Sequence, residues 1–133
     1  MPPATIINPE SLPRPSGFSY AIAASGDRTV HFAGHTAVDE RGRIVGPGDV
    51  VAQFAQVLRN LEATAAAAGL ELSQMAKLTI YVTDVESYLG RAKEIGAIYR
   101  RTFGSYYPAM TLVPVPRLWD VQAMIEIEGV AVG

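Results

Sequence analysis

Hydrophobic positions recur along this chain with two periods. From Asp49 onward, Phe54, Val57, Leu58, Leu61, Ala65 and Ala68 follow three- and four-residue spacing, the apolar stripe of a helix lying on a core. Asp49 suits the positive end of the helix dipole, and Gly69 suits the C-terminal cap. A second stripe, Tyr88, Ala92, Ile95, Tyr99 and Phe103, follows a cap at Asp84 and stops at Gly104. Strands are predicted over Thr5–Ile7, Phe18–Ala24, Thr29–Gly34 and Leu78–Val82. The turn Ser25–Arg28 would fold the second and third strands onto each other as a hairpin. The run from Pro108 to Val132 reads as two more strands around a loop rich in proline and aromatics. In the last strand Met124, Glu126 and Glu128 share one side, Ile125, Ile127 and Val130 are candidates for the other, and Gly129 is a candidate bulge.

The resulting order is β-β-β-α-β-α-β-β. Each helix has one apolar stripe, so the expected fold is α+β, a mixed β-sheet with two helices packed on one face. The other sheet face then has no cover within the chain. Ile80 and Val82 are expected beside the Glu126 face, too apolar for open water, and self-association would cover them.

Composition narrows the function classes. The 133 residues suit a single domain over 1–133, large enough for a core without staples. Only 18% of residues are charged against 49% hydrophobic, a lean surface that favours an oligomer. The net charge is −2 and no basic cluster exceeds Arg100-Arg101, which argues against a nucleic-acid partner. Without cysteine there is no disulfide, thiol nucleophile or thiolate metal site. The stretch Met1 to Ile7 lacks the charged start and apolar core of a signal peptide. No apolar run approaches the ~20 residues of a membrane span, so no membrane partner and a cytoplasmic location are expected.

The order of elements resembles the RidA/YjgF family of reactive-intermediate deaminases. So do Gly17-Phe-Ser-Tyr-Ala21, Phe32-Ala-Gly-His35, Lys77 to Asp84, Tyr107-Pro-Ala109 and Ile125-Glu-Ile-Glu-Gly129. The resemblance covers essentially the whole chain, and its most specific motif is the last one with the Pro-Ala pair before it. It implies a RidA/chorismate-mutase-like homotrimer with its sheets inward, its helices outward and three intersubunit clefts. It also implies hydrolysis of small enamines or imines with no metal or cofactor. By position, Glu126 matches the acidic residue that holds or activates water, and Ala33-Gly34 matches backbone that contacts substrate. Phe18 stands where tyrosine is typical, Gly96 falls near a common asparagine, and Met110 replaces the arginine that grips a substrate carboxylate.

A carboxylate at 126 in a partly desolvated cleft suits proton shuttling to water, whereas a solvated strand carboxylate is the plainer alternative. Glu128 is assigned a structural or interface role. His35, beside the expected cleft, could donate to a substrate or be satisfied structurally. His31 shares its strand parity, but with no third ligand nearby a zinc site is not expected. Arg14 or Arg117 could replace the lost clamp, Trp119 could wall the cleft or pack a subunit contact, and Tyr106 and Tyr107 could add aromatic lining.

Methionine at 110 cannot compensate a buried carboxylate, which predicts a small-molecule substrate other than a simple 2-imino acid. A non-catalytic ligand-binding relative is the alternative. Ribonuclease activity, sometimes ascribed to relatives, lacks a basic stripe with aromatics to support it.

Overall fold

The computed structural model describes residues 4–133; Met1, Pro2 and Pro3, part of the N-terminal stretch read above, lie outside the described residues. The strands are β1 (Ala4–Ile7), β2 (Ala21–Ala24), β3 (Thr29–His35), β4 (Met75–Val82), β5 (Ala109–Pro114) and β6 (Ile125–Val132). The helices are α1 (Val50–Ala67), α2 (Val85–Gly90) and α3 (Ala92–Phe103), with a 3-10 turn at Leu72–Gln74.

α1 forms where its stripe predicts. The Asp49 carboxylate accepts from the Val51 and Ala52 N–H groups at 3.1 Å, and Gly69 takes φ +75° just past the end. Phe54, Val57, Leu58, Leu61 and Ala65 are buried against Phe32, Leu78, Ile125 and Ile127. Truncating Phe54 to alanine would cost about 3–5 kcal/mol through lost transfer energy and the cavity left behind. The second stripe is split. Asp84 caps α2 through Ser87, but the chain breaks at Arg91, next to the weak helix former Gly90, before α3 resumes and ends at Gly104 with φ +67°.

β3, β6, β4 and β5 form one mixed sheet in that order. β6 runs antiparallel to both neighbours, while β4 and β5 are parallel and joined by α2 and α3. The expected hairpin of β2 with β3 does not form; β2 pairs with β1 instead, from Ala4 opposite Ala24 to Ile7 opposite Ala21. Two local contacts close the β1–β2 loop: the Tyr20 N–H donates to Asn8 Oδ1 and the Tyr20 hydroxyl to the Pro13 carbonyl. Ser19 bridges in parallel to Ala109 at the β5 edge, while Arg28 exchanges two backbone bonds with Gly133 at the end of β6. The stretch between them is thereby drawn from one side of the sheet to the other rather than along β3.

Register also corrects the face assignment. Ile80 and Val82 pair with Ile127 and Ile125, and all four are buried under the helices. The helix-free face instead carries Thr79, Tyr81, Glu126 and Glu128, all half-buried. The extra residues of the sheet lie in β3 between Phe32 and His35 and in β4 between Met75 and Lys77, not at Gly129. Gly129 is needed for close approach: a Cβ there would stand 2.5 Å from the Lys77 carbonyl oxygen.

Candidate active site

Glu126 lies on the helix-free face opposite Tyr81. The β3 bulge brings Gly34 directly against it, so that a Cβ on Gly34 would lie 2.5 Å from Glu126 Oε2. Only glycine leaves that carboxylate its place. The start of β6 is held from behind by the fully buried Gln53 of α1. Its amide donates to the Gly46 and Gln122 carbonyls at 3.2 and 3.0 Å, and its oxygen accepts the Met124 N–H at 2.8 Å. The ion pairs among the described residues are Arg43–Asp39 and Arg91–Glu94, so the Glu126 carboxylate is not neutralised by a cation of its own chain.

Glu128 has a partner. The Tyr81 hydroxyl donates to its Oε1 at 2.6 Å. That bond, with desolvation and the nearby carboxylates, pushes the Tyr81 phenol above its ordinary range, because removing its proton would set three negative charges together. From the sequence alone Tyr81 is simply a strand residue. The signal that it belongs beside Glu126 and Glu128 is cross-strand register, which appears only after folding.

His35 faces the other way. Its Nδ1 lies 2.6 Å from the Ala33 carbonyl and its Nε2 2.8 Å from Thr64 Oγ1 on α1. A carbonyl only accepts, so in the neutral ring Nδ1 carries the proton and Nε2 accepts from the threonine hydroxyl. Both ring nitrogens are thus occupied within the chain, which corrects the expectation of a substrate donor in favour of the structural alternative. The bulge also breaks the parity shared with His31, which is exposed and lies opposite Val130.

Phe18 and Met110 lie together elsewhere. Met110 is in register with Leu78 on the helix side of the sheet. With Phe18, Gly96, Tyr99, Tyr107 and Leu112 it lines a cavity of about 460 Å³ at the β5 edge. Tyr99 fixes the aromatic wall: it stacks on Phe103 at 4.5 Å and on Tyr107 at 4.8 Å, and its hydroxyl donates to the Tyr106 carbonyl. Burial pushes its phenol far up, so it stays neutral.

Of the two arginines considered as replacement clamps, neither lines this cavity. Arg14 borders an adjoining groove, and Arg117 donates to the Leu118 and Trp119 carbonyls of its own loop. Trp119 is 96% exposed and walls nothing in its own chain. Arg100, which the sequence reading passed over, does line the cavity.

One chain therefore brings Glu126 and Gly34 together on one face, and Phe18 and Met110 together on the other. It does not join the two groups.

The fold is that of a small α+β protein with a mixed sheet and its helices on one face. The family model described as Endoribonuclease L-PSP matches residues 11–133. The chain belongs to this family, RidA/YjgF. It is 32% identical over 126 residues to a RutC family protein of Pyrococcus horikoshii, covering 95% of each chain. It is 31% identical over 113 residues to the 2-iminobutanoate/2-iminopropanoate deaminase of Mus musculus, covering 85% of this chain and 80% of that protein. Among solved structures it superposes on YyfB of Yersinia pestis, a Rid family protein of unknown function. The TM-score is 0.87 at 33% identity, over 98% of this chain and 99% of that one. Imine deaminase chemistry is thus present in the family, and the fold is the family's own.

Proposed function

We propose that this protein hydrolyses a small reactive enamine or imine in clefts formed between the subunits of a homotrimer, with Glu126 as the acid–base group. The observation that carries the reading is the free Glu126 carboxylate seated on Gly34. Facing the neighbouring subunit's Phe18–Met110 cavity, it would meet a bound substrate at its C–N carbon. Glu126 takes a proton from water as the oxygen bonds to that carbon. That proton passes to nitrogen as the C=N π pair moves there, giving a carbinolamine (an enamine first takes a proton at carbon to become the imine). Glu126 then carries the hydroxyl proton to the amine, the C–N bond breaks as C=O forms, and ammonia and a carbonyl product leave. No metal or cofactor enters this sequence.

Specificity follows from Met110. It offers an apolar thioether where a carboxylate clamp is typical, so the substrate end that meets it is neutral or apolar. An imine of a small amino acid, with its carboxylate directed there, is handled poorly. Two observations support the trimer: Glu126 and Gly34 do not meet Phe18 and Met110 within one chain, and Trp119 is exposed with nothing to pack on.

The test generates imines in place with an amino-acid oxidase and follows keto-acid release, with semicarbazide trapping what is not hydrolysed. The phenylalanine imine should turn over faster than the alanine imine. Glu126→Gln should lower its turnover by about 10²–10⁴-fold with fold and assembly intact, and Met110→Arg should gain activity on the alanine imine. Equal rates in wild type and Glu126→Gln would remove Glu126 from the mechanism. Tight ligand binding with no acceleration would favour the non-catalytic alternative, which the loss of the arginine at 110 supports.

A further inference from the structure

Gly96 lies inside α3, where glycine costs about 1 kcal/mol relative to alanine. Its φ is not left-handed, so no turn requires it. What occupies the space above it is the Arg100 guanidinium one turn later: a Cβ on Gly96 would lie 3.2 Å from Arg100 Nη1. Arg100 thus folds back along its helix over the glycine and enters the wall of the Phe18–Met110 cavity. Its neighbour Arg101, also in the last turn of α3, does not line that cavity. Among the described residues Arg100 has no ion-pair partner. The other cavity walls are largely aromatic and aliphatic, so Arg100 is the cation available to an anionic ligand there.

We propose that Arg100 is the anion anchor of this cavity, and that the ligand is a carboxylate with an aromatic or branched apolar body. The carboxylate meets Arg100 on the α3 wall, and the apolar body lies against Phe18 and Met110. The carboxylate clamp then sits on the helix wall rather than at position 110, with the guanidinium close over Gly96. A volume of about 460 Å³ accommodates such a body and exceeds what a three-carbon acid needs. A guanidinium holds a carboxylate through paired charge-assisted bonds, which a neutral amide cannot reproduce. The inference rests on the reading that this cavity is the ligand site, but not on any chemistry at Glu126.

The experiment is calorimetric titration of the wild-type protein with 3-phenylpropanoate and, separately, with its neutral amide. Wild type should prefer the carboxylate. Arg100→Gln should weaken the carboxylate by about 10- to 100-fold and leave the amide unchanged, and Arg100→Lys should recover part of the loss. Gly96→Leu fills the space of the guanidinium and improves the helix. It should hold or raise Tm while weakening the carboxylate probe, a combination that general damage to the fold would not give. Equal affinity of wild type for the two probes, no binding of either, or unchanged carboxylate affinity in Arg100→Gln would each overturn the proposal. Because binding is read without turnover, absence of imine hydrolysis by the wild type would sink the deaminase reading and leave this one standing.

Discussion

Gly34 and Glu126 fix each other through a single close contact, 2.5 Å from the carboxylate oxygen to where a side chain on residue 34 would begin. The backbone at Gly34 has no left-handed φ, so Gly34→Ala displaces the carboxylate rather than straining the chain. We expect its stability to change by no more than ~1 kcal/mol. Turnover should fall by up to about 100-fold, as a misplacement near 1 Å does. Denaturant melts and the imine assay, run on the same preparations, separate the two effects.

Tyr81 gives a second residue-level test. Its phenol is raised chiefly by the bond it donates to Glu128, so Glu128→Gln should bring its titration back down toward 10.0, the ordinary tyrosine value. A raised folded value means the bond's contribution is fully present below the unfolded pKa and is lost as pH climbs through the folded one. Carbon NMR of labelled tyrosine reads this directly. A Tyr81 titration unmoved in Glu128→Gln would show that the bond is not its cause.

At the scale of elements, what depends on local spacing was legible and what depends on distant partners was not. The α1 stripe, its Asp49 cap and its Gly69 stop involve neighbours within a turn or two, and all three are where the sequence predicts. The partner of β2 is decided by the Tyr20 bonds to Asn8 and Pro13 and by Ser19 reaching β5, contacts that hydrophobic alternation does not encode. The sides of Ile80 and Val82 follow from register with β6. Both histidines lost their shared parity to a bulge that no turn residue announced.

Gln53 shows the same limit, a polar residue on an apolar stripe that is fully buried and serves the start of β6. Gln53→Leu keeps the volume but orphans the Gly46 and Gln122 carbonyls and the Met124 N–H. We expect a loss of about 1–3 kcal/mol for each group left dry, read by urea denaturation. Unchanged stability would mean that water replaces the amide and that α1 does not hold β6 in place.

For the whole molecule, the central observation is that one chain keeps Glu126 and Gly34 on a different face of its sheet from Phe18 and Met110. The family resemblance picks out Glu126, Ala33, Gly34, Phe18 and Met110 as candidates, but not the separation of Glu126 and Gly34 from Phe18 and Met110, because face assignment needs register. Arg100 was missed although Gly96 and Arg100 stand one helical turn apart, because a glycine in a helix shows its purpose only when something occupies the space above it. Exposed Trp119 at 96% and Val121 at 71% are consistent with a surface covered by another copy. Light scattering across a dilution series should give three times the 14.2 kDa chain mass.

Subunit complementation tests the divided site most directly. Glu126→Gln disables the helix-free half. Leu112→Trp fills the mouth of the cavity from a position that is already 36% exposed, disabling the other half. Each variant alone should be nearly inactive on the phenylalanine imine. Unfolded together in equal amounts and refolded, they should regain about one quarter of the wild-type rate, because random assembly into a ring pairs an intact Glu126 face with an intact cavity at about one interface in four. A mixture no more active than the two variants apart would contradict a site built between chains.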